Sequence, residues 1–194
     1  MKILLNLLSL AILLITASST AQKNHPIYDY GEMELTSTAS IPEYEAAEQK
    51  IKITGKVYKS DGKTPAADVI LYFYQTDEDG EYEIEGENRD DKHIYHRTWI
   101  KTDQDGNYNL YTFIPGTNYG SNQMKHIHTF VKQPNMPEYQ IDGFLFDDDP
   151  YLSNHCRKKL KKAGANNILK PTQEGEILVA ERDIVLDLGP LASK

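Results

Sequence analysis

The sequence predicts an all-β chain, an antiparallel β-sandwich with long loops and one short helix in its C-terminal half. Two observations carry that expectation. From Ile51 onward, apolar and polar residues alternate over short runs that Gly, Asp and Pro turns separate at close intervals. Helical character is confined to Pro150 through Lys162.

Taken in chain order, Met1 and Lys2 make a short basic start, and Ile3 to Ile15 is an apolar run broken only by Asn6 and Ser9. Ser19 and Ala21 then stand in the small-residue positions ahead of Gln22. This pattern predicts a cleaved signal peptide over 1–21, short of the roughly 20 apolar residues that a membrane span needs. No cysteine follows the apolar run, so a lipid anchor is not expected. The expected product is secreted or periplasmic, about 170 residues long, and one domain by length. Residues 22–50 are polar without a sustained period and read as an extended N-terminal arm, with the β-sandwich domain over 51–190.

Within that domain, "IKITGKVYKSDGKTPAADVILYFYQTDEDGEYEI" from Ile51 implies three strands divided at Asp61-Gly62 and Asp79-Gly80. The segment "YHRTWIKTDQDGNYNLYTFIPG" from Tyr95 adds two more about Asp105-Gly106. The Asp-Gly pairs read as hairpin turns, because they lack the twelve-residue ligand spacing and closing glutamate of a calcium loop. "KHIHTFVKQ", "YQIDGFLFDDD" and "RDIVLDL" supply the remaining strands. Tyr108 reads as a strand residue covering a sheet edge.

The formal charge is −8, with acid concentrated in Thr76–Asp91 and Asp147–Pro150. Such a balance argues against a nucleic-acid partner, and once the signal is cleaved no membrane partner is expected. The basic cluster Arg157–Gly164 fits an exposed helix ended by Gly164. Cys156 is the only cysteine, so the fold rests on a core or a metal and not on an internal disulfide.

One pattern carries chemistry. His126 and His128 are alternate residues of a predicted strand, so their side chains share a face with Cα atoms about 6.5–7 Å apart, within reach of one ion. Ile127 and Phe130 suggest a well-buried strand, which would put the pair on the inner face of the sandwich. Zinc would require a third ligand, for which His93 and His96 are available. The chain also has 13 tyrosines, and phenolate is a hard anionic donor better suited to Fe(III).

"ITGKVYKSDGKTPAADVILYFYQTDEDGEY", followed by "HRTWIKTDQDGNYNLYTFIPG" and "HIH", resembles the intradiol ring-cleavage dioxygenases, especially small secreted members. The resemblance covers about Ile51 to Val131, and more loosely the closing strands to Leu188. It implies a non-haem Fe(III) held by Tyr82, Tyr119, His126 and His128, with Tyr95 as the alternative to Tyr82. Tyr82 and Tyr119 are 37 residues apart, in keeping with the family interval. It further implies that Tyr119 is the ligand displaced when a catechol-type substrate binds, and that O₂ cleaves the ring to a muconate-type diacid without NADH or flavin.

Two departures stand out. Gln123 occupies the place where the family commonly has a charge-stabilising arginine, and "PGTNY" has one residue more than usual before Tyr119. Arg97 is either the cation of the pocket or a structural strand-end arginine. The acidic Glu83–Asp91 stretch disfavours an anionic ring and favours catechol or hydroxyquinol. Two other readings share the fold: a non-enzymatic module resembling transthyretin-like or carboxypeptidase-regulatory-like domains, and a metal-binding relative that has lost turnover. Homo-oligomerisation is left open.

Overall fold

The computed structural model describes residues 25–88, 91–118, 120 and 122–187. The signal peptide expected over 1–21 and the expected ligand Tyr119 lie outside these residues.

The described chain is mostly strand, as expected. One sheet takes β1 (Thr38–Ser40), β2 (Lys50–Tyr58), β7 (Asn107–Phe113), β11 (Thr172–Glu174) and β12 (Ile177–Glu181) in the order β1-β7-β2-β12-β11, with β13 (Ile184–Val185) also pairing β2. The other takes β3 (Ile70–Gln75), β6 (Arg97–Lys101), β8 (His126–Lys132), β9 (Tyr139–Phe146) and β10 (Ile168–Leu169) in the order β10-β9-β8-β3-β6. A small ladder joins β4 (Ile84–Glu85) and β5 (His93–Ile94).

The central pairs β2–β7, β3–β6, β3–β8 and β8–β9 are antiparallel, whereas β1, β10, β12 and β13 join by parallel pairing. The sheets are therefore mixed. The parallel additions are two to five residues long and pair with strands distant in sequence, so they leave no hydrophobic period to read.

The Asp-Gly turns form, and antiparallel pairing of Tyr58 with Pro65 flanks Asp61-Gly62, but none of them joins two neighbouring strands of one sheet. Asp61-Gly62 leads from β2 to β3, Asp79-Gly80 from β3 toward β4, and Asp105-Gly106 from β6 to β7, each time between different sheets. Asp side chains close them: Asp103 accepts from the Asp105 and Asn107 amides, and Asp61 from the Lys63 and Thr64 amides. At these turns the chain crosses between layers, and the inward residues of both main sheets fill one core. Ile51, Ile53 and Leu110 meet Leu71, Phe73, Ile127 and Phe144 there, all fully buried. Tyr108 is in that core and not at a sheet edge. It is 0 % exposed, and its hydroxyl donates to the Arg182 carbonyl at 2.6 Å.

The single α-helix among the described residues, α1 (Asn154–Lys162), buries no residue. Ser153 caps it by accepting from the Cys156 amide, and Gly164 follows with φ +75°. No helix among the described residues is long and apolar enough to cross a membrane. The segment read as an arm lies on the domain. Ile27 packs with Tyr72 and Trp99 over the outer face of the second sheet, while Ile41 and Tyr44 pack on Phe113.

Candidate metal centre

The two histidines are on β8, but on the opposite face from the one expected. Ile127, Thr129 and Val131 point into the core and are buried. His126, His128 and Phe130 take the other face, because alternation allows only one set inside. Phe130 misleads the sequence reading: it is apolar, yet it belongs to an aromatic surface that the arm covers, with the His25 ring 4.4 Å away.

Across that face, directly paired residues form rows. Arg97 on β6, Tyr74 on β3 and His128 on β8 stand side by side, as do Trp99, Tyr72 and Phe130. At about 4.8 Å between strands, Arg97 is roughly 10 Å from His128 along its row, with Tyr74 between. Tyr74 stacks on the His128 ring with centroids 4.5 Å apart and planes 9° from parallel. The His126 and His128 rings also touch, with centroids 4.1 Å apart.

Tyr82 arrives from the turn after β3. Asp77 accepts from the amides of Asp79 and Glu81, and the Gly116 amide donates to the Asp77 carbonyl at 2.7 Å. Gly80 and Gly116 allow this turn to lie backbone against backbone on the loop that follows β7. A Cβ on Gly80 would stand 2.8 Å from the Asn118 nitrogen, and one on Gly116 would stand 2.6 Å from the Asp79 carbonyl carbon. Asn118 strengthens the contact by donating to Glu81 Oε1 at 2.7 Å, and it forms a two-way backbone bridge with Gln123. The chain at Gly116–Asn118 is therefore docked against the turn that carries Tyr82.

At the junction the Tyr82 hydroxyl lies 2.7 Å from His128 Nε2, and Gln123 Nε2 donates to the same hydroxyl at 3.2 Å. Gln123 can only donate from that nitrogen, and one proton is shared between the phenol oxygen and His128 Nε2, with the His128 tautomer setting which of the two is the donor. Two lone pairs thus face each other across a single proton. Burial pushes the Tyr82 phenol pKa up, partly offset by the Gln123 hydrogen bond, and pushes His128 down. His126 is pushed down to about 4, chiefly by burial, with His128 and Arg182 adding repulsion. Both rings are neutral near pH 7, as metal ligands must be. His128 Nδ1 is buried without a hydrogen-bond partner.

These donors fit a metal ion. A cation in place of the shared proton would meet Tyr82 oxygen and His128 nitrogen, with the ring of His126 adjacent. His126 lies against Gly143 of β9, where a Cβ would stand 2.6 Å from the ring Cδ2 and closer still to Nε2. An isolated glycine within the "YQIDGFLF" strand is the sequence signal for this close approach. Tyr74 gives a signal too, since it alternates with Phe73 and so must decorate a second face. Asp149 gives none. It is 4 % exposed, accepts from the Lys125 amide at 2.6 Å and from Thr117 at 3.4 Å, and so ties the residue before His126 to the preceding loop.

Other expected residues are elsewhere. Tyr95 contacts His96 and not His128. His93 pairs with Glu85, and His96 turns toward Glu43 and Glu83. Arg97 lies over the Trp99 ring, 3.8 Å from Asp29, on the wall of a cleft of about 700 Å³. Tyr72, Tyr74, Phe130, Ile84 and Lys92 share that wall.

No family model and no curated protein matches the sequence. Solved structures do match the fold. The dioxygenase domain of a dioxygenase carbohydrate-binding protein fusion from Streptomyces sp. SirexAA-E aligns with TM-score 0.60 at 22 % identity, over 81 % of this chain and 93 % of that one. An intradiol ring-cleavage dioxygenase from Tetranychus urticae aligns with TM-score 0.59 at 17 % identity, over 82 % and 89 %. Catechol 1,2-dioxygenase from Acinetobacter radioresistens aligns with TM-score 0.58 at 17 % identity, over 81 % of this chain but 58 % of that longer one. The fold is that of the intradiol dioxygenases, and at these identities the chemistry has to be argued from the residues.

Proposed function

We propose that this chain is a secreted or periplasmic ring-cleavage dioxygenase. In this reading Tyr82, Tyr119, His126 and His128 hold a non-haem Fe(III), and the substrate is an uncharged catechol-type diol. The observation that carries it is the 2.7 Å approach of Tyr82 oxygen to His128 Nε2, on a fold shared with dioxygenases. Bound ferric ion supplies a Lewis-acid and redox centre that lets the diol react with O₂.

The residues have distinct tasks. The proton between Tyr82 Oη and His128 Nε2 leaves when metal binds, so uptake strengthens as pH rises. Gln123 holds the Tyr82 oxygen from its other side and orients it. Tyr74 fixes the plane of the His128 ring and is also part of the cleft wall, which makes the cleft the natural place for an aromatic ring beside the metal. Arg97 and Lys92 share that cleft with Asp29 and Asp91, a balance that suits a neutral diol. In the reaction the bond between the two hydroxylated carbons breaks and both atoms of O₂ enter the diacid. The diol supplies the four electrons, so no external reductant is required.

A specific observation favours one other reading, a metal-binding protein without turnover. Gln123, next to Tyr82, carries no charge where the family commonly has arginine. One experiment separates them. Iron-replete protein should show the visible ferric-tyrosinate band, Tyr82→Phe should shift or abolish it, and Tyr95→Phe should leave it. Catechol should then be consumed with one equivalent of O₂ to give muconate. Colourless, iron-free protein sinks both readings, and a band without muconate selects the second.

A further inference from the structure

We propose that Glu43, Glu83 and His96 form a second cation site, separate from Tyr82 and the β8 histidines, that takes one divalent ion of the zinc class. The three residues come from different parts of the fold. Glu43 is in the turn after β1, Glu83 immediately precedes β4, and His96 immediately precedes β6. Their ligand atoms all lie within 4.8 Å of one another, with His96 Nε2 3.3 Å from Glu43 Oε2 and 4.0 Å from Glu83 Oε2. Ligands about 2.0–2.1 Å from a tetrahedral zinc stand about 3.3 Å apart, so one pair already has that spacing and the other needs a small side-chain rotation.

Charge and burial point the same way. The His96 side chain is 1 % exposed, and its Nε2 is aimed at both carboxylates. Nε2 carries at most one hydrogen, and one hydrogen cannot serve two carboxylates at full strength. Among the described residues, neither Glu43 nor Glu83 has a lysine or arginine within ion-pair distance; their only basic neighbour is this histidine. Two carboxylates and one buried ring thus converge on one point, with a single ring hydrogen at most between them. One nitrogen and two oxygen donors suit zinc, leaving a fourth position for water. The carboxylates are 57 % and 54 % exposed, so an ion can reach them from solvent.

The consequence is structural. Ile41 and Tyr44 pack on Phe113, and the Tyr95 amide donates to the Glu83 carbonyl at 2.9 Å, so a bound ion would fasten the N-terminal segment to both the β4–β5 ladder and β6. Its stabilising effect should grow with free zinc in the way any native-state ligand acts.

The test uses the full iron-loaded chain, dialysed against buffered Zn(II) and, in parallel, Co(II). Wild type should take up one equivalent beyond its iron, gain several degrees in thermal midpoint, and give the intense visible bands of four-coordinate cobalt. Glu83→Gln, at an exposed position, should weaken uptake at least tenfold, and Glu43→Gln with Glu83→Gln should abolish it along with the midpoint shift. His126→Asn with His128→Asn, measured without iron because it lacks two of the proposed iron ligands, should still take up one equivalent and show the midpoint shift. Equal zinc affinity in wild type and the glutamine variants overturns the proposal, as does uptake that disappears only in the β8 histidine variants. Because the visible iron band is followed separately, failure of this site leaves the ferric reading untouched.

Discussion

Gly143 offers the sharpest test of the β8–β9 geometry. The ladder between these strands slips between Ile127 and Thr129, and the His126 ring lies over β9 at Gly143. A methyl group there would stand 2.6 Å from His126 Cδ2 and 2.5 Å from the Ile127 carbonyl oxygen. Comfortable contacts lie near 3.5–4.0 Å, so each overlap is about 1 Å. The ring can rotate away, but the carbonyl belongs to the strand backbone and cannot. Gly143→Ala should therefore cost about 1–3 kcal/mol of stability, the usual range for overpacking. Its effect on metal should be larger in proportion. Ligands must hold their positions within about 0.5 Å, and a ring displaced by more than that should lose at least tenfold in iron affinity. Urea unfolding of metal-free protein measures the first effect, and iron titration followed by the visible band measures the second. Gly164→Ala and Gly175→Ala are the controls, with no atom within 4 Å of the added carbon and φ of +75° and +62°. They should cost about 1 kcal/mol in backbone strain and leave the iron band alone. Gly143→Ala protein with full iron affinity and stability within about 0.5 kcal/mol of wild type would refute the assigned role of Gly143.

Acid should destabilise the metal-free protein through the same pair. His126 takes up a proton near pH 6.5 when unfolded but only at about 4 when folded, so its contribution is complete above 6.5 and is lost as pH falls to 4. That amounts to about 3 kcal/mol, readable as a falling urea midpoint, and a His126→Asn variant that keeps the full slope would exclude His126 as its source. Tyr108→Phe should lose about 1–1.5 kcal/mol, because the Arg182 carbonyl loses its buried donor; chemical denaturation at neutral pH reads this, and a neutral result would show that water replaces the hydroxyl. Gln123→Ala should move iron uptake to higher pH, since the Gln123 hydrogen bond holds the Tyr82 phenol pKa down. An unchanged uptake profile would remove Gln123 from the site.

The histidine pair was legible because alternation on a strand is a strong rule, and the Asp-Gly turns because their chemistry is local. The face was misread. Ile127 and Val131 on one face outweigh Phe130 on the other, but Ile127 and Phe130 together suggest burial although alternation puts them on opposite faces. The layer to which each strand belongs was not legible, since an Asp-Gly turn looks alike whether it closes a hairpin or crosses between sheets. Tyr108 was misread for a related reason: its hydroxyl suggests an edge, but the partner that permits burial is the carbonyl of Arg182, 74 residues later. Glu43 belongs to the segment read as a featureless arm, and only the folded chain brings it to His96.

The filled core between the two sheets also explains why the candidate metal centre is outside the sandwich. Phe73, Ile127 and Phe144 fill the space between the sheets, leaving no room there for a solvated ion or an aromatic substrate. The outer face of β3, β6 and β8 has the rigidity of the same ladders without that crowding. It presents Arg97, Tyr74 and His128 in one row, and the crossing turn at Asp77–Gly80 delivers Tyr82 to the end of it. The fold thus separates two requirements: the buried face holds the strands in register, and the opposite face of those strands positions the groups that would hold metal and substrate.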